Sequence, residues 1–176
     1  MSSESPLPEP MPPGRLTGYL KEDHRRLDEL LRSASTDPHY IDAEAYGQFR
    51  AGLLRHIGME EKILLPAMQR LNGGSPLPVA AKLRLDHGAL AALLMPTPTP
   101  AIINTIHGIL AEHNALEEGV GGLYELCDGL AGAEVEPLLA KLRAAPGVTV
   151  MPHNDSPAVM NTVRRTLERA GYTASL

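Results

Sequence analysis

The sequence predicts an all-α fold: an up-down-up-down four-helix bundle with a Pro-rich N-terminal arm and a short C-terminal extension holding one or two extra helices. Two observations carry that expectation. Apolar residues recur at helical spacing through four long segments joined by Pro- or Gly-rich connections. The pattern is also duplicated. Leu20, His24, Leu27 and Leu31 are spaced i, i+4, i+7, i+11, and Leu83, His87, Leu90 and Leu94 repeat that frame 63 positions later, with an Asp before each histidine (Asp23, Asp86). Phe49, Leu53, His56 and Glu60 recur as Ile106, Leu110, His113 and Glu117 at an offset of 57, so the loop of the second half is six residues shorter. Each half is a helical hairpin that offers one histidine from its first helix and a His-x-x-x-Glu pair from its second.

Five prolines among the first thirteen residues make residues 1–15 a mobile arm of extended character. Helix 1 is expected to start after Thr17 as N-cap and to fade at Ser33 to Ser35. Asp42 caps helix 2, which runs to Asn72, where Asn-Gly-Gly stops it; Pro66 should kink it one turn past Glu60. Helix 3 begins near Pro78 and ends before the PTPTP run at Pro96 to Pro100. Helix 4 is expected from about Ala101 to Asp128, tolerating Gly108, Gly119, Gly121 and Gly122. Residues 133–145 read as a short fifth helix and Val148 to Met151 as a brief extended run. Ser156 and Pro157 form an N-cap and N1 pair for a last helix ending at Gly171. Its stripe of Val159 or Met160, Val163, Leu167 and Ala170 needs a packing partner. The chain thus divides into an arm (1–15), a bundle (16–130) and an extension (131–176) that lies on the bundle or on a partner subunit.

Composition sets the outer limits. A chain of 176 residues with 43% hydrophobic residues has room for a proper core. A net charge of -5 offers no basic surface for nucleic acid or anionic lipid. One cysteine, Cys127, excludes an intramolecular disulfide and a thiolate metal cage. With no secretory signal pattern and no apolar run of about 18 residues, a cytoplasmic protein is expected.

The chemistry lies in the two His-x-x-x-Glu pairs, in the phrases HIGMEE and HNALEE. Residues four apart share a helix face, and here that face is the apolar stripe. An ionised carboxylate withdrawn from water costs several kcal/mol unless a cation compensates. No Arg or Lys occupies the stripe positions flanking Glu60 or Glu117. Bound metal supplies the missing charge. Imidazole and carboxylate without thiolate suit iron or manganese better than structural zinc. Two glutamates can each bridge two ions while each ion takes two histidines, leaving room for an oxo, hydroxo or water bridge and a position where a small ligand binds. Glu61 and Glu118, one position off the stripe, are expected to support rather than ligate. His39, His107 and His153 stand outside the repeat and are expected to face solvent, although His153 becomes a candidate fifth ligand if the tail folds over the bundle's open end.

These residues resemble the hemerythrin-like HHE cation-binding domain family, whose hallmark is His, then His-x-x-x-Glu, repeated twice in a four-helix bundle. The resemblance spans about residues 17–130 and includes EEKILLPAM at Glu60 to Met68. It implies a non-haem di-iron centre with His24, His56, Glu60, His87, His113 and Glu117 as ligands and the two glutamates as bridges. The chain departs from the oxygen carriers of the family, which use five histidines: the positions one turn either side of His87 are Leu83 and Ala91. That departure resembles members associated with nitric oxide and oxidative stress, iron-sulfur repair, peroxide removal, or iron and oxygen sensing.

Two function classes follow. In one, the protein is a redox enzyme with catalase-like or nitric-oxide-related activity, acting on hydrogen peroxide, nitric oxide or oxygen. In the other it is an iron or oxygen sensor without turnover; reversible oxygen carriage is disfavoured. Tyr124, seven residues beyond Glu117, is expected to pack in the core with its hydroxyl bonded elsewhere, the alternative being a nearby proton or electron donor.

Overall fold

Four helical walls form because each long segment carries one apolar stripe that must be buried against the others. A computed structural model describes residues 14–173 and 176; the expected arm at residues 1–13 lies outside the described residues. The walls are α1 (Arg15–Ala34), α2 (Ala43–Met59) continuing into α3 (Leu65–Leu71), α4 (Ala80–Leu93), and α5 (Pro100–Glu118) with α6 (Leu123–Ala131). They are followed by α7 (Val135–Arg143) and α8 (Pro157–Ala170).

Helix α1 starts two residues earlier than Thr17, and its cap comes from elsewhere in the chain. Gly14 has no side chain to offer, and the Asp128 carboxylate on α6 accepts from the backbone N–H groups of Leu16 (3.0 Å) and Thr17 (3.1 Å). A Cβ at residue 14 would fall on that carboxylate, so glycine is what lets it approach. Asp42 caps α2 through the N–H groups of Glu44 and Ala45. Thr99 caps α5, with Pro100 in the first turn.

Two expected long helices are each interrupted at their paired glutamates, the first from Glu60 onward and the second just past Glu118. Instead of a simple kink at Pro66, the backbone makes one π-helical turn over Glu60–Leu64, closed by the Leu65 N–H on the Glu60 carbonyl. Pro66 has no N–H to give the carbonyl four residues before it, so widening the turn just ahead of it is a local way out. Helix 4 does not continue through its glycines: it stops at Glu118 and restarts at Leu123. At Gly122 a Cβ would stand 2.7 Å from the Glu117 carbonyl oxygen and 2.8 Å from those of Gly119 and Leu116, contacts no other residue tolerates.

The interior forms two apolar clusters. One holds Leu27, Leu31, Phe49, Leu53, Leu90, Leu93 and Ile106; the other holds Leu16, Leu20, Met59, Leu64, Leu83, Leu123 and Tyr124. Helices α7 and α8 pack on the bundle in this chain. Helix α7 lies against α1 and the π turn, and α8 lies along α4, burying Val163, Leu167 and Ala170 in the first cluster. Three cations fasten this segment by its carbonyls. Buried Arg50 donates to Leu94 (3.0 Å) and Met151 (3.1 Å), Arg55 to Ala145 (3.0 Å), and Lys82 to Ala170 (2.9 Å).

Replacing the distant cap tests how α1 is held. Asp128→Ala should cost about 1 kcal/mol, as loss of a helix cap does, and lower the unfolding temperature by about 2–4 °C in a chain of this size. Asp128→Asn should retain most of the stability, and both are read by calorimetry or by circular dichroism melting.

Candidate metal centre

Between the two apolar clusters lies a layer of buried polar side chains. Helix α1 contributes His24, α2 His56, α4 His87 and α5 His113, and all four are buried. Glu60 at the start of the π turn and Glu117 near the end of α5 are 0% exposed. The donor atoms fall into two groups, each within 4.8 Å: His24, His56, Glu60 and Glu117, and Glu60, His87, His113 and Glu117. Both glutamates belong to both groups, one oxygen to each. Glu60 Oε1 is 3.4 Å from His56 Nε2 while its Oε2 is 3.1 Å from His87 Nε2. Glu117 Oε2 is 3.3 Å from His24 Nε2 while its Oε1 is 3.1 Å from His113 Nε2.

Every imidazole is held from behind by a carboxylate. His24 Nδ1 donates to Glu118 Oε1 (2.5 Å), His56 Nδ1 to Asp23 Oδ2 (2.9 Å), His87 Nδ1 to Glu61 Oε1 (2.7 Å) and His113 Nδ1 to Asp86 Oδ2 (3.3 Å). The repeat is visible in the pairing. Within each half, the Asp of the first helix holds the histidine of the second. Between halves, the second Glu of each Glu-Glu pair holds the other half's first-helix histidine. Glu61 and Glu118 therefore support as expected. Asp23 and Asp86 emerge as their equals, signalled in the sequence by an Asp directly before each first-helix histidine.

Adjacent residues on a regular helix point about 100° apart, so Glu60 and Glu61 meet the layer from different sides, Glu60 between the imidazoles and Glu61 behind His87. The π turn begins at that pair. Around the layer, Arg26 binds Asp23, Lys82 binds Asp86 and Arg84 reaches Glu61. Lys82 also takes the Ala170 carbonyl at the end of α8, so a single ammonium links the extension to the carboxylate behind His113.

The donor chemistry calls for cations. A carboxylate holding Nδ1–H leaves Nε2 with a lone pair. His24 and His56 then face each other with their Nε2 atoms 3.0 Å apart. His87 Nε2, Glu60 Oε2 and Glu117 Oε1 are buried without any hydrogen-bond partner among the described residues. Acceptors converging on one another repel unless a positive charge sits among them. Protons are one source. The Glu60 and Asp23 carboxylates overcome the opposing effect of burial and raise His56 to about 10, and Asp86 with Glu117 raises His113 to about 9. Against the same burial, His56 and Arg26 hold Asp23 down at about 2. Metal ions are the other source, held among the two inner glutamates and the four inward Nε2 atoms.

Tyr124 stands in the middle of the first group rather than with its hydroxyl bonded elsewhere. Its oxygen is 2.7 Å from Glu60 Oε1 and 3.1 Å from Glu117 Oε2. Burial, reinforced by those two carboxylates, raises the phenol well above its ordinary value. His153 does not join the site: it is exposed and stacks on Tyr46, ten residues before His56 on α2. His39 is exposed, whereas His107 departs from the expected solvent-facing role. With Asn114 it lines a cavity of about 190 Å³ that reaches His24, His56 and His113 between walls of Leu27, Leu53 and Leu90. A helical stripe of His107, Leu110, Ala111 and Asn114 was the available signal.

This architecture defines a metal-binding helical bundle of the di-iron type, with two His/Glu donor groups sharing two glutamates. Residues 15–96 match the family described as Hemerythrin HHE cation binding domain. The match covers α1 to α4, so His113 and Glu117 lie beyond it and rest on the internal repeat and the geometry above. No curated protein and no solved structure matches the chain. Among the described residues, no helix is long and apolar enough to cross a membrane.

Two tests follow. Removing a supporting carboxylate by Asp23→Asn or Glu61→Gln should weaken metal affinity about 10- to 100-fold, read by competition with a chelator. The pH dependence has a defined sign in metal-free protein. Because His56 and His113 are raised above 6.5 in the fold, their stabilising contribution is complete below that pH and is lost as pH rises through about 9 and 10. The unfolding temperature of metal-free protein should therefore fall from pH 6.5 to 10.

Proposed function

We propose that His24, His56, Glu60, His87, His113 and Glu117 bind two iron ions, with Glu60 and Glu117 bridging the pair. We further propose that the centre binds and turns over a small oxidant, such as hydrogen peroxide, nitric oxide or oxygen, in cytoplasmic defence against oxidative or nitrosative stress. The observation that carries the reading is the division of each glutamate between the two donor groups, one oxygen to each. Imidazole and carboxylate donors suit iron, and manganese is the nearest competitor. A bound iron pair supplies redox chemistry toward small oxygen- and nitrogen-containing molecules.

The chain's own residues prepare the site for that use. Four outer carboxylates fix the imidazoles with Nε2 facing inward. Leu27, Leu53 and Leu90 give the cavity apolar walls, and its size suits a ligand of a few atoms. Among the described residues Asn114 Oδ1 is buried without a partner beside that cavity, and it can accept a hydrogen bond from an entering peroxide. Asp28, His107 and Asn114 place polar groups on the cavity wall.

A second reading, an iron or oxygen sensor without turnover, is favoured by the link from α8 through Lys82 and Asp86 to His113. Metal uptake is also folding energy, and this link could pass it to the extension. Protein purified in air should contain two irons per chain and consume peroxide or nitric oxide at substoichiometric concentration. His113→Ala should lower the iron content and abolish consumption. Manganese in place of iron would overturn the metal assignment. Metal-dependent hydrogen-exchange protection of residues 145–176 without turnover would select the sensor.

A further inference from the structure

The two donor groups share their glutamates but differ in a fifth residue. Around the first, the Tyr124 oxygen stands 3.0 Å from His24 Nε2, 3.4 Å from His56 Nε2, 2.7 Å from Glu60 Oε1 and 3.1 Å from Glu117 Oε2. Among the described residues, nothing equivalent stands around the second. At the repeat offset of 57 the residue matching Tyr124 is Ala67, and His87 Nε2, Glu60 Oε2 and Glu117 Oε1 lack hydrogen-bond partners.

Building on the six-ligand assignment above, we propose that Tyr124 is a fifth protein ligand, bound through its phenolate oxygen, of the ion held by His24, His56, Glu60 and Glu117. The dinuclear centre is then unsymmetrical, and the ion at His87 and His113 is the one with fewer protein donors.

Hydrogen-bond counting supports ligation. A phenol has one proton to donate, whereas the four atoms around it are two carboxylate oxygens and two Nε2 atoms whose ring partners already donate to carboxylates. The hydroxyl can satisfy one of these acceptors. A cation bound by all five satisfies them together.

Distances support it independently. First-row ions bind nitrogen and oxygen at about 2.1 Å, which places neighbouring corners of an octahedron about 3.0 Å apart. Three edges of the four-donor set measure 3.0 Å (His24 Nε2 to His56 Nε2), 3.4 Å (His56 Nε2 to Glu60 Oε1) and 3.3 Å (His24 Nε2 to Glu117 Oε2). An atom at neighbour distance from all four is an apex above their square. An oxygen at the centre of that square would stand nearer, at about 2.1–2.4 Å from the corners by the same geometry.

The cavity completes the arrangement. It is lined by His24, His56 and His113 with Leu27, Leu53 and Leu90 of one apolar cluster, while Tyr124 belongs to the other cluster and does not line it. Phenolate and entering ligand therefore approach the metal layer from different ends of the bundle. Proton balance is simple: the O–H bond breaks as the metal–oxygen bond forms, and the proton leaves to solvent, as protons generally do on metal uptake.

The test is the visible and resonance Raman spectrum of full-length protein loaded with iron in air, together with iron counted per chain. Two ferric ions with a broad phenolate-to-iron absorption and enhanced tyrosine ring modes are expected. Those modes should shift when the protein is made with ring-deuterated tyrosine. Tyr124→Phe should keep two irons but lose the absorption and the modes. Two irons without phenolate modes in the unaltered chain, or modes that survive Tyr124→Phe, overturn the ligation and leave the six-ligand assignment standing. Failure to bind two ions overturns that assignment and the ligation with it. If Tyr124→Phe does not fold, the isotope shift in the unaltered protein decides the matter.

Discussion

Two glutamates withdrawn wholly from water set the terms for everything around them. Each buried charge costs several kcal/mol even after relaxation, while a domain is stable by only about 5–15 kcal/mol in total. Glu60 and Glu117 are both 0% exposed, and among the described residues no lysine or arginine reaches either oxygen pair. Compensation has to come through the imidazole nitrogens, as bound protons or as metal. The surrounding layout serves both. Carboxylates behind each ring keep Nε2 inward, and the same carboxylates stabilise whatever positive charge that nitrogen meets. Protons and metal ions therefore compete for one set of atoms.

The donor set was legible because it rides on two strong periodicities: the helical repeat of leucines and the duplication of the hairpin. His24 and His87 share a leucine frame, as do His56 with Glu60 and His113 with Glu117, and those six side chains meet in one layer. What was illegible depended on contacts distant in sequence or on backbone departures. Asp128 caps a helix more than 110 positions away, and Thr17 was a plausible local substitute only because the real cap is non-local. Arg50 and Lys82 look like ordinary surface cations until the carbonyls they hold are in place. The break after Glu118 was hidden because scattered glycines cost a helix only about 1 kcal/mol each. At Gly122 the decisive factor was instead the absence of a Cβ against three carbonyls.

Those backbone departures shape the site. In the first half, the π turn begins at Glu60 and carries the glutamate pair. In the second, the helix ends outright at Glu118, and the chain passes through Gly121 at φ +71° before restarting. Both halves thus leave the regular helix at their glutamate pair, the first just before it and the second just after it. They leave it differently.

That difference is what breaks the twofold symmetry of the duplicated hairpin. A continuous helix after Glu61 carries Ala67 along α3 within the wall of the bundle. A restarted helix after the glycines sets α6 afresh, and Tyr124, on its first turn, returns to the layer that α5 had just left. The register of α6 is held from its other end as well, since Asp128, one turn on from Tyr124, is fixed by the first backbone N–H groups of α1. The helix that carries His24 is therefore capped by the helix that carries Tyr124. Positioning of the phenol and of the imidazole 3.0 Å from it is a single structural event rather than two.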